Sequence, residues 1–475
     1  MNDMYQGPMI SGELGNLPIE SAADRNRLSR GTATDALEAI DGAAVEDLVR
    51  DHGSPLFVFS ETTLRKKLQR MRAAFTSRYK SVSFAWSFKT NHLDAICKVM
   101  KSESWIAEVV SDFEYMKARN LGYEGPEIIY NGPYKRRESL RIALEEGALI
   151  QIDNWDEMGV IEELAEELGG TFDIGIRAWV STGHAPVWSK FGFALINGEA
   201  HQAGLRIASN KQFRLHTIHC HLGTYILDPD TYRVATQMLV GLREEIRADT
   251  GHLVACLNFG GGFPSYSLLH GMAGPAELVV PSIERYADAI ASVLNGLPKR
   301  DRPLLRLEPG RHLVDEAGYL ISTIVAIKGG PRRDARPEKL SSISVKEQML
   351  LSDAARLSYV LDIGVNLLYT STWFAITPTP HRQVASLPEP TRLLGCLCME
   401  IDVIRDHVNL PRLQTGDHLI LHPVGAYNFD QSMQFIHLRP AVVLIGQDGE
   451  VHEIRRMENL ADMEKPESVP AHLAG

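Results

Sequence analysis

Short apolar runs alternate with stretches of helical period from about residue 55 to about residue 312. Runs at 55–59, 83–88, 105–110, 128–130, 149–152, 173–178, 215–221, 255–259 and 304–308 read as strands. Between the earlier ones, segments 62–75, 91–100, 114–119, 137–146 and 156–168 place apolar residues three and four apart, the spacing of a helix with one buried face. Strand alternating with helix over about 250 residues predicts a parallel sheet, and a closed (β/α)8 barrel fits that length. An open doubly wound sheet is the competitor. Polar motifs at the carboxyl ends of several successive strands favour the barrel, because barrel active sites are assembled there.

Beyond about residue 313 the helical period fades. β-rich runs at 319–327, 358–361, 403–404, 417–421 and 441–445 predict a second, mostly β domain of barrel type. The expected organisation is a loose N-terminal extension at 1–35, a segment at 36–58 joining the β domain, the barrel at 59–312 and the β domain at 313–475. Segments 331–346 and 378–390, the latter with four prolines, read as exposed loops. No internal repeat is visible.

At 475 residues the chain suits two domains, with apolar and charged fractions of 44% and 23% that are ordinary for a soluble protein. A formal charge of -11 argues against a general nucleic-acid binder, yet leaves room for an anionic ligand on a local glycine loop. Five cysteines (Cys97, Cys220, Cys256, Cys396 and Cys398) without framework spacing suit a reducing compartment, and Cys396-Leu-Cys398 lacks the spacing of a zinc site. The first residues show no basic region followed by an apolar run. The most apolar stretch, 359–376, is broken by Asp362 and Asn366, so neither signal peptide nor membrane span is expected. A cytoplasmic protein is the expectation.

Four motifs then change the picture. Lys89 closes a strand-like run, where it is either a solvated lysine opening a helix or an amine nucleophile in a barrel mouth. His219 and His221 alternate along a predicted strand. They suit a metal pair, satisfied core rings, or one ring laid on a planar cofactor, with Gly223 and Thr224 offering an amide and a hydroxyl to phosphate. Gly260-Gly261-Gly262 is either a plain turn or a loop that lets backbone approach a phosphate. Glu308-Pro309-Gly310-Arg311 ends another strand with a carboxylate suited to a pyridine nitrogen and a guanidinium suited to phosphate or a substrate carboxylate. In this order the set supplies what pyridoxal 5'-phosphate needs. No further cluster with metal spacing accompanies the histidines, so no metal is expected.

From about residue 52 to 456 these motifs resemble the barrel-type (fold type III) pyridoxal-phosphate decarboxylases, the family of diaminopimelate, ornithine and arginine decarboxylases. That resemblance implies a cofactor barrel of alanine-racemase type plus a C-terminal β domain. Residues 53–59 are similar to the family's opening strand, and Ser87-Phe-Lys89-Thr-Asn to its Schiff-base lysine motif. Glu108 lies in a segment resembling the one with an acid near the cofactor, and Ser189-Lys-Phe-Gly192 resembles an element of the diaminopimelate branch. The resemblance makes His221 the ring that stacks on the cofactor, and gives Gly260, Gly261, Gly262, Glu308, Gly310 and Arg311 to its phosphate and pyridine sites. It also makes Cys398 the catalytic thiol and Tyr427 a phosphate ligand, with Arg311, Glu400 and Asp402 as substrate contacts. Because the family's cysteine segment enters the partner's active site, a homodimer with shared sites is implied.

The chain departs from the pattern at three places. Met399 stands where the family has an acidic residue after the cysteine, with Glu400 one place later. Thr370 and Phe374 align with an Arg and a Tyr of the diaminopimelate branch. A threonine hydroxyl cannot replace a forked guanidinium clamp. The expected activity is therefore decarboxylation of an amino acid, or a modified and even carrier-tethered one, with a racemase on the same fold as the alternative. A metal-dependent hydrolase and a non-catalytic cofactor carrier rank behind them.

Overall fold

The computed structural model describes residues 36–272, 274–329 and 356–473, so the expected N-terminal extension and the 331–346 loop lie outside the described residues. Contacts divide the chain into two compact units. The first comprises residues 64–266 and 274–315; the second takes its described residues from 36–63, 267–272, 316–329 and 356–473. The boundaries thus fall after residues 63 and 315, where 58 and 312 were expected, and segment 267–272 groups with the β unit.

Eight parallel strands build the first unit: Val82–Ser87, Ile106–Val109, Ile128–Tyr130, Leu149–Ile152, Phe172–Trp179, Phe213–His219, Cys256–Asn258 and Leu304–Leu307. Each pairs with the next, and Leu305 of the last lies opposite Val82 of the first, so the sheet is a closed barrel. Ile128–Tyr130, Leu149–Ile152 and Cys256–Asn258 are buried throughout, because helices cover one face and the barrel core the other. Helices Glu199–Ser209, Asp230–Thr250 and Ile283–Leu294 continue the alternation past the last predicted helix. Side-chain caps set two of the strand-to-helix turns at the carboxyl ends: Ser111 Oγ accepts the Glu114 N–H and Asn154 Oδ1 accepts the Glu157 N–H.

In the second unit the fully buried strand Leu56–Ser60 lies between Gly318–Lys328, antiparallel to it, and Ala441–Ile445, parallel to it. Leu56, Val58, Ile321, Ile420 and Val443 share one apolar cluster there. The 378–390 expectation is corrected. Thr377–Pro380 pairs with His418–His422, and Glu389–Leu394 pairs with both Leu357–Leu361 and Val403–Leu410. Thr377–Pro380 pairs on one side only, so its prolines cost no ladder bond on the other. Val451–Arg455 was not anticipated because it is polar and part-exposed, yet it closes a hairpin with Ala441–Ile445. Among the described residues no helix is long and apolar enough to cross a membrane.

Candidate active site

The first barrel strand hands the chain to a short turn, Phe88–Thr90, that presents Lys89. Its Nζ lies 2.7 and 3.0 Å from the two carboxylate oxygens of Glu108, at the end of the second strand. Glu108 is 1% exposed and also accepts the Ser87 hydroxyl at 2.5 Å. Asn131, just past the third strand, donates through Nδ2 to Glu108 Oε1 at 2.9 Å and to Glu308 Oε2 at 3.0 Å. Asn258, the last residue of the seventh strand, donates to Glu308 Oε1 at 2.6 Å. Residues at the ends of strands one, two, three, seven and eight thus converge on one network.

His219 ends the sixth strand with its Nε2 3.4 Å from Glu308 Oε2, while His221 lies beyond the strand and accepts the Gly261 N–H through Nδ1 at 3.1 Å. The two rings have different partners. Among the described residues the one group of three potential ligands close enough for a metal is Asp448, Glu450 and His452, all exposed on the 441–455 hairpin. Burial, then the charges of Arg177 and Lys89, hold His221 well below the ordinary imidazole range, so its ring is neutral and its Nδ1 is free to accept. Trp188 meets it edge-on, with ring centres 5.3 Å apart.

The glycine run is packed tightly against its neighbours. A Cβ on Gly261 would stand 2.6 Å from the Glu308 carbonyl oxygen, and one on Gly262, whose φ is +95°, 2.6 Å from that of Gly223. One expectation changes here. The Gly260 N–H is taken by Asn258 Oδ1 and the Gly261 N–H by His221, so two of the three amides serve the protein itself. Gly262 is the one whose N–H has no acceptor among the described residues. A Cβ on Gly310 would meet Thr90 Oγ1 at 2.0 Å, joining the Glu308 segment closely to the Lys89 turn. Thr224 is exposed after the sixth strand. Arg311 is buried, and its Nη1 donates to Asp315 Oδ2 at 3.1 Å, so part of this guanidinium is anchored within the protein.

Burial alone would raise the Glu308 carboxyl, but the charge and contact of His219, the Asn258 amide and the charge of Lys89 outweigh it and keep it below the ordinary carboxylate range. An ionised, fully held carboxylate, a neutral flat ring, an amine on a buried anion and a side-chain-free loop fit pyridoxal phosphate. Sequence reasoning missed Asn131, Asn258 and Ser87, which hold the carboxylates. Two asparagines and a serine at strand ends have no pattern of their own and read as turn residues.

The β unit presents Cys398 and Glu400 exposed on the turn between Glu389–Leu394 and Val403–Leu410. Asp402, expected as a substrate contact, has backbone partners in the protein. It is 4% exposed, and its two oxygens accept the Val365 and Leu397 N–H groups at 2.8 and 2.7 Å, so it braces the turn. Tyr427 is half-buried with φ of +64°. Thr370 is buried, with its hydroxyl on Asn428 Oδ1 at 2.9 Å, and Phe374 is buried too.

The family model described as pyridoxal-dependent decarboxylase, pyridoxal binding domain, matches residues 61–315, more than half of the chain. Diaminopimelate decarboxylase of Methanothermobacter thermautotrophicus is 28% identical over 449 residues, covering 91% of this chain and 96% of that protein. The Bacillus subtilis enzyme of the same name is 26% identical, with 90% and 94% covered. The crystal structure of diaminopimelate decarboxylase from M. jannaschii in co-complex with L-lysine shares 26% identity and a TM-score of 0.78, covering 93% of this chain and all of that one. Matched over more than half of its length, the chain belongs to the pyridoxal-dependent decarboxylase family.

Proposed function

We propose that this pyridoxal-phosphate-dependent amino-acid decarboxylase works through Lys89, Glu308, His221 and Cys398, on an amino acid whose distal end differs from that of diaminopimelate. One observation supports this above all: Lys89, Glu108, Asn131 and Glu308 form a continuous chain of contacts across four barrel strand ends. When bound, the cofactor supplies an electron sink for the pair left behind by departing carbon dioxide. Lys89 Nζ is the amine that would hold it, with Gly262 N–H and Thr224 toward its phosphate. Glu308, ionised, would hold a proton at the ring nitrogen. His221 would lie against the ring face as a neutral group, and Cys398 Sγ would return a proton to the α-carbon.

Departure at the distal end is supported by Thr370, which aligns with the clamp arginine and spends its hydroxyl on buried Asn428. Met399 offers no charge for a distal amine, which leaves Glu400 as the exposed acid of that turn. The substrate is then an amino acid altered at the far end, free or tethered to a larger molecule.

A cytoplasmic homodimer completes the reading. Met399 and Ile401 beside Cys398, and Met433, Phe435 and Ile436 nearby in sequence to Tyr427, are exposed apolar groups that a second copy would cover. None of the five cysteines forms a disulfide.

The test is direct. Protein loaded with pyridoxal phosphate is reduced with borohydride, the labelled peptide is identified, and amino acids are screened for carbon dioxide release. Label on Lys89, and gas release that Lys89→Ala abolishes, are expected; a colourless protein without label would end the reading. Diaminopimelate turnover equal to that of the named relatives would overturn the distal-end argument alone.

A further inference from the structure

We infer that Asn131 is a positioning residue that ties the carboxylate under Lys89 to the carboxylate at the proposed pyridine site. The inference rests on the cofactor reading above and deepens it. Asn131 is 3% exposed, and its Nδ2 lies 2.9 Å from Glu108 Oε1 and 3.0 Å from Glu308 Oε2, so both N–H bonds of one amide point at different carboxylates. Its backbone N–H is fixed on the Val109 carbonyl at 2.8 Å. The amide orientation follows from chemistry: the reverse would aim a carbonyl oxygen at two carboxylates. Asn131 Oδ1 is buried without a protein donor among the described residues, so the side chain is there for its N–H groups.

Two nearly inaccessible carboxylates this close to a single atom would drive one of them to take up a proton. A neutral double donor between them removes that need. It lets Glu108 remain the counter-ion of Lys89 Nζ while Glu308 stays ionised with Asn258 and His219 on its other sides. No other side chain donates to both acids among the described residues. A change at position 131 should therefore reach the proton affinity of both ends at once, without touching substrate.

Wild type, Asn131→Asp and Asn131→Ala are loaded with pyridoxal phosphate. Dissociation constant, the pH midpoint of the visible absorption band, kcat and KM are measured, with circular dichroism as the check on folding. Asn131→Asp keeps the shape, removes the donors and adds a charge, so its spectral midpoint should rise by about one pH unit or more. Asn131→Ala should move the midpoint the same way by less. In both variants kcat should fall about tenfold or more while KM changes little. An unmoved midpoint, loss of kcat without spectral change, or failure of both variants to fold would each assign Asn131 a merely structural role and overturn the inference. Borohydride labelling of Lys89 in wild type separates the two claims: its absence sinks the cofactor reading, whereas label with unmoved midpoints sinks this one.

Discussion

Glu114 offers a pH-dependent stability that can be worked from its surroundings. It stands in the first turn of the Asp112–Asn120 helix, is 6% exposed, and accepts the Val110 N–H at 2.7 Å. Burial pushes its carboxyl up to about 7 from an ordinary 4.5, against the lowering by the Val110 N–H and Lys89. The gap of about 2.5 pH units corresponds to about 3 kcal/mol. Below pH 4.5 both folded and unfolded chains hold the proton, and the full stability is present. Between about 4.5 and 7 the unfolded chain has lost its proton and the folded one has not, so stability falls as pH rises; above about 7 the loss is complete. Glu114→Gln keeps the shape and an acceptor for Val110 while removing the titration. Urea unfolding of both proteins, followed by tryptophan fluorescence from about pH 4 to pH 8.5, should show the variant gaining about 3 kcal/mol on wild type across that window. Parallel stability curves would refute the argument, because they would mean that Glu114 is equally easy to ionise in both states.

Gly261→Ala places its Cβ 2.6 Å from the Glu308 carbonyl oxygen, so the loop must move by over half an ångström. A stability loss of about 1–3 kcal/mol and a fall in kcat/KM of about a hundredfold are expected, read by thermal melting and steady-state kinetics. Asp402→Ala strands the Val365 and Leu397 N–H groups beneath the Cys398 turn and should cost about 2–5 kcal/mol, with Asp402→Asn recovering part of it. Mass-mapped alkylation should modify Cys398 first and Cys396 more slowly, since burial pushes the Cys396 thiol up. Cys97, Cys220 and Cys256 are buried and should react only on unfolding; burial takes Cys220 to about 12.

The barrel was legible because its strands are buried on both faces and interrupted by amphipathic helices, a pattern that few other folds produce. Ile128–Tyr130 and Leu149–Ile152 were readable to the residue for that reason. The β unit was harder. Its strands are short, some use proline or alternate charge with half-buried positions, and pairings such as Leu56–Ser60 with Gly318–Lys328 join residues more than 250 positions apart, so local pattern carries little of the information. Side chains that hold other side chains were invisible for a related reason. Lys89 and Glu308 announce themselves by charge at a strand end, whereas the asparagines between them become meaningful only once the ring of strands closes.

Asp402 shows what geometry adds to chemistry read from a motif. An acid four places after a cysteine looks available for substrate, yet each oxygen of this buried carboxylate already accepts one backbone N–H that braces the turn. The same reasoning separates bond cleavage from recognition in this chain. In the barrel, Ser87, Lys89, Asn131 and Asn258 donate to Glu108 and Glu308, so both carboxylates of the proposed machinery for carbon dioxide loss are held. The positions read in the sequence as departing from the family's pattern, Thr370, Phe374 and Met399, all lie in the β unit, and two of them are buried in its own packing. Restoring an arginine at 370 would place a guanidinium where Asn428 now accepts a hydroxyl at 2.9 Å, burying a charge without a partner. Diaminopimelate activity should therefore not appear on Thr370→Arg alone, because position 370 is buried and its surroundings suit a small hydroxyl.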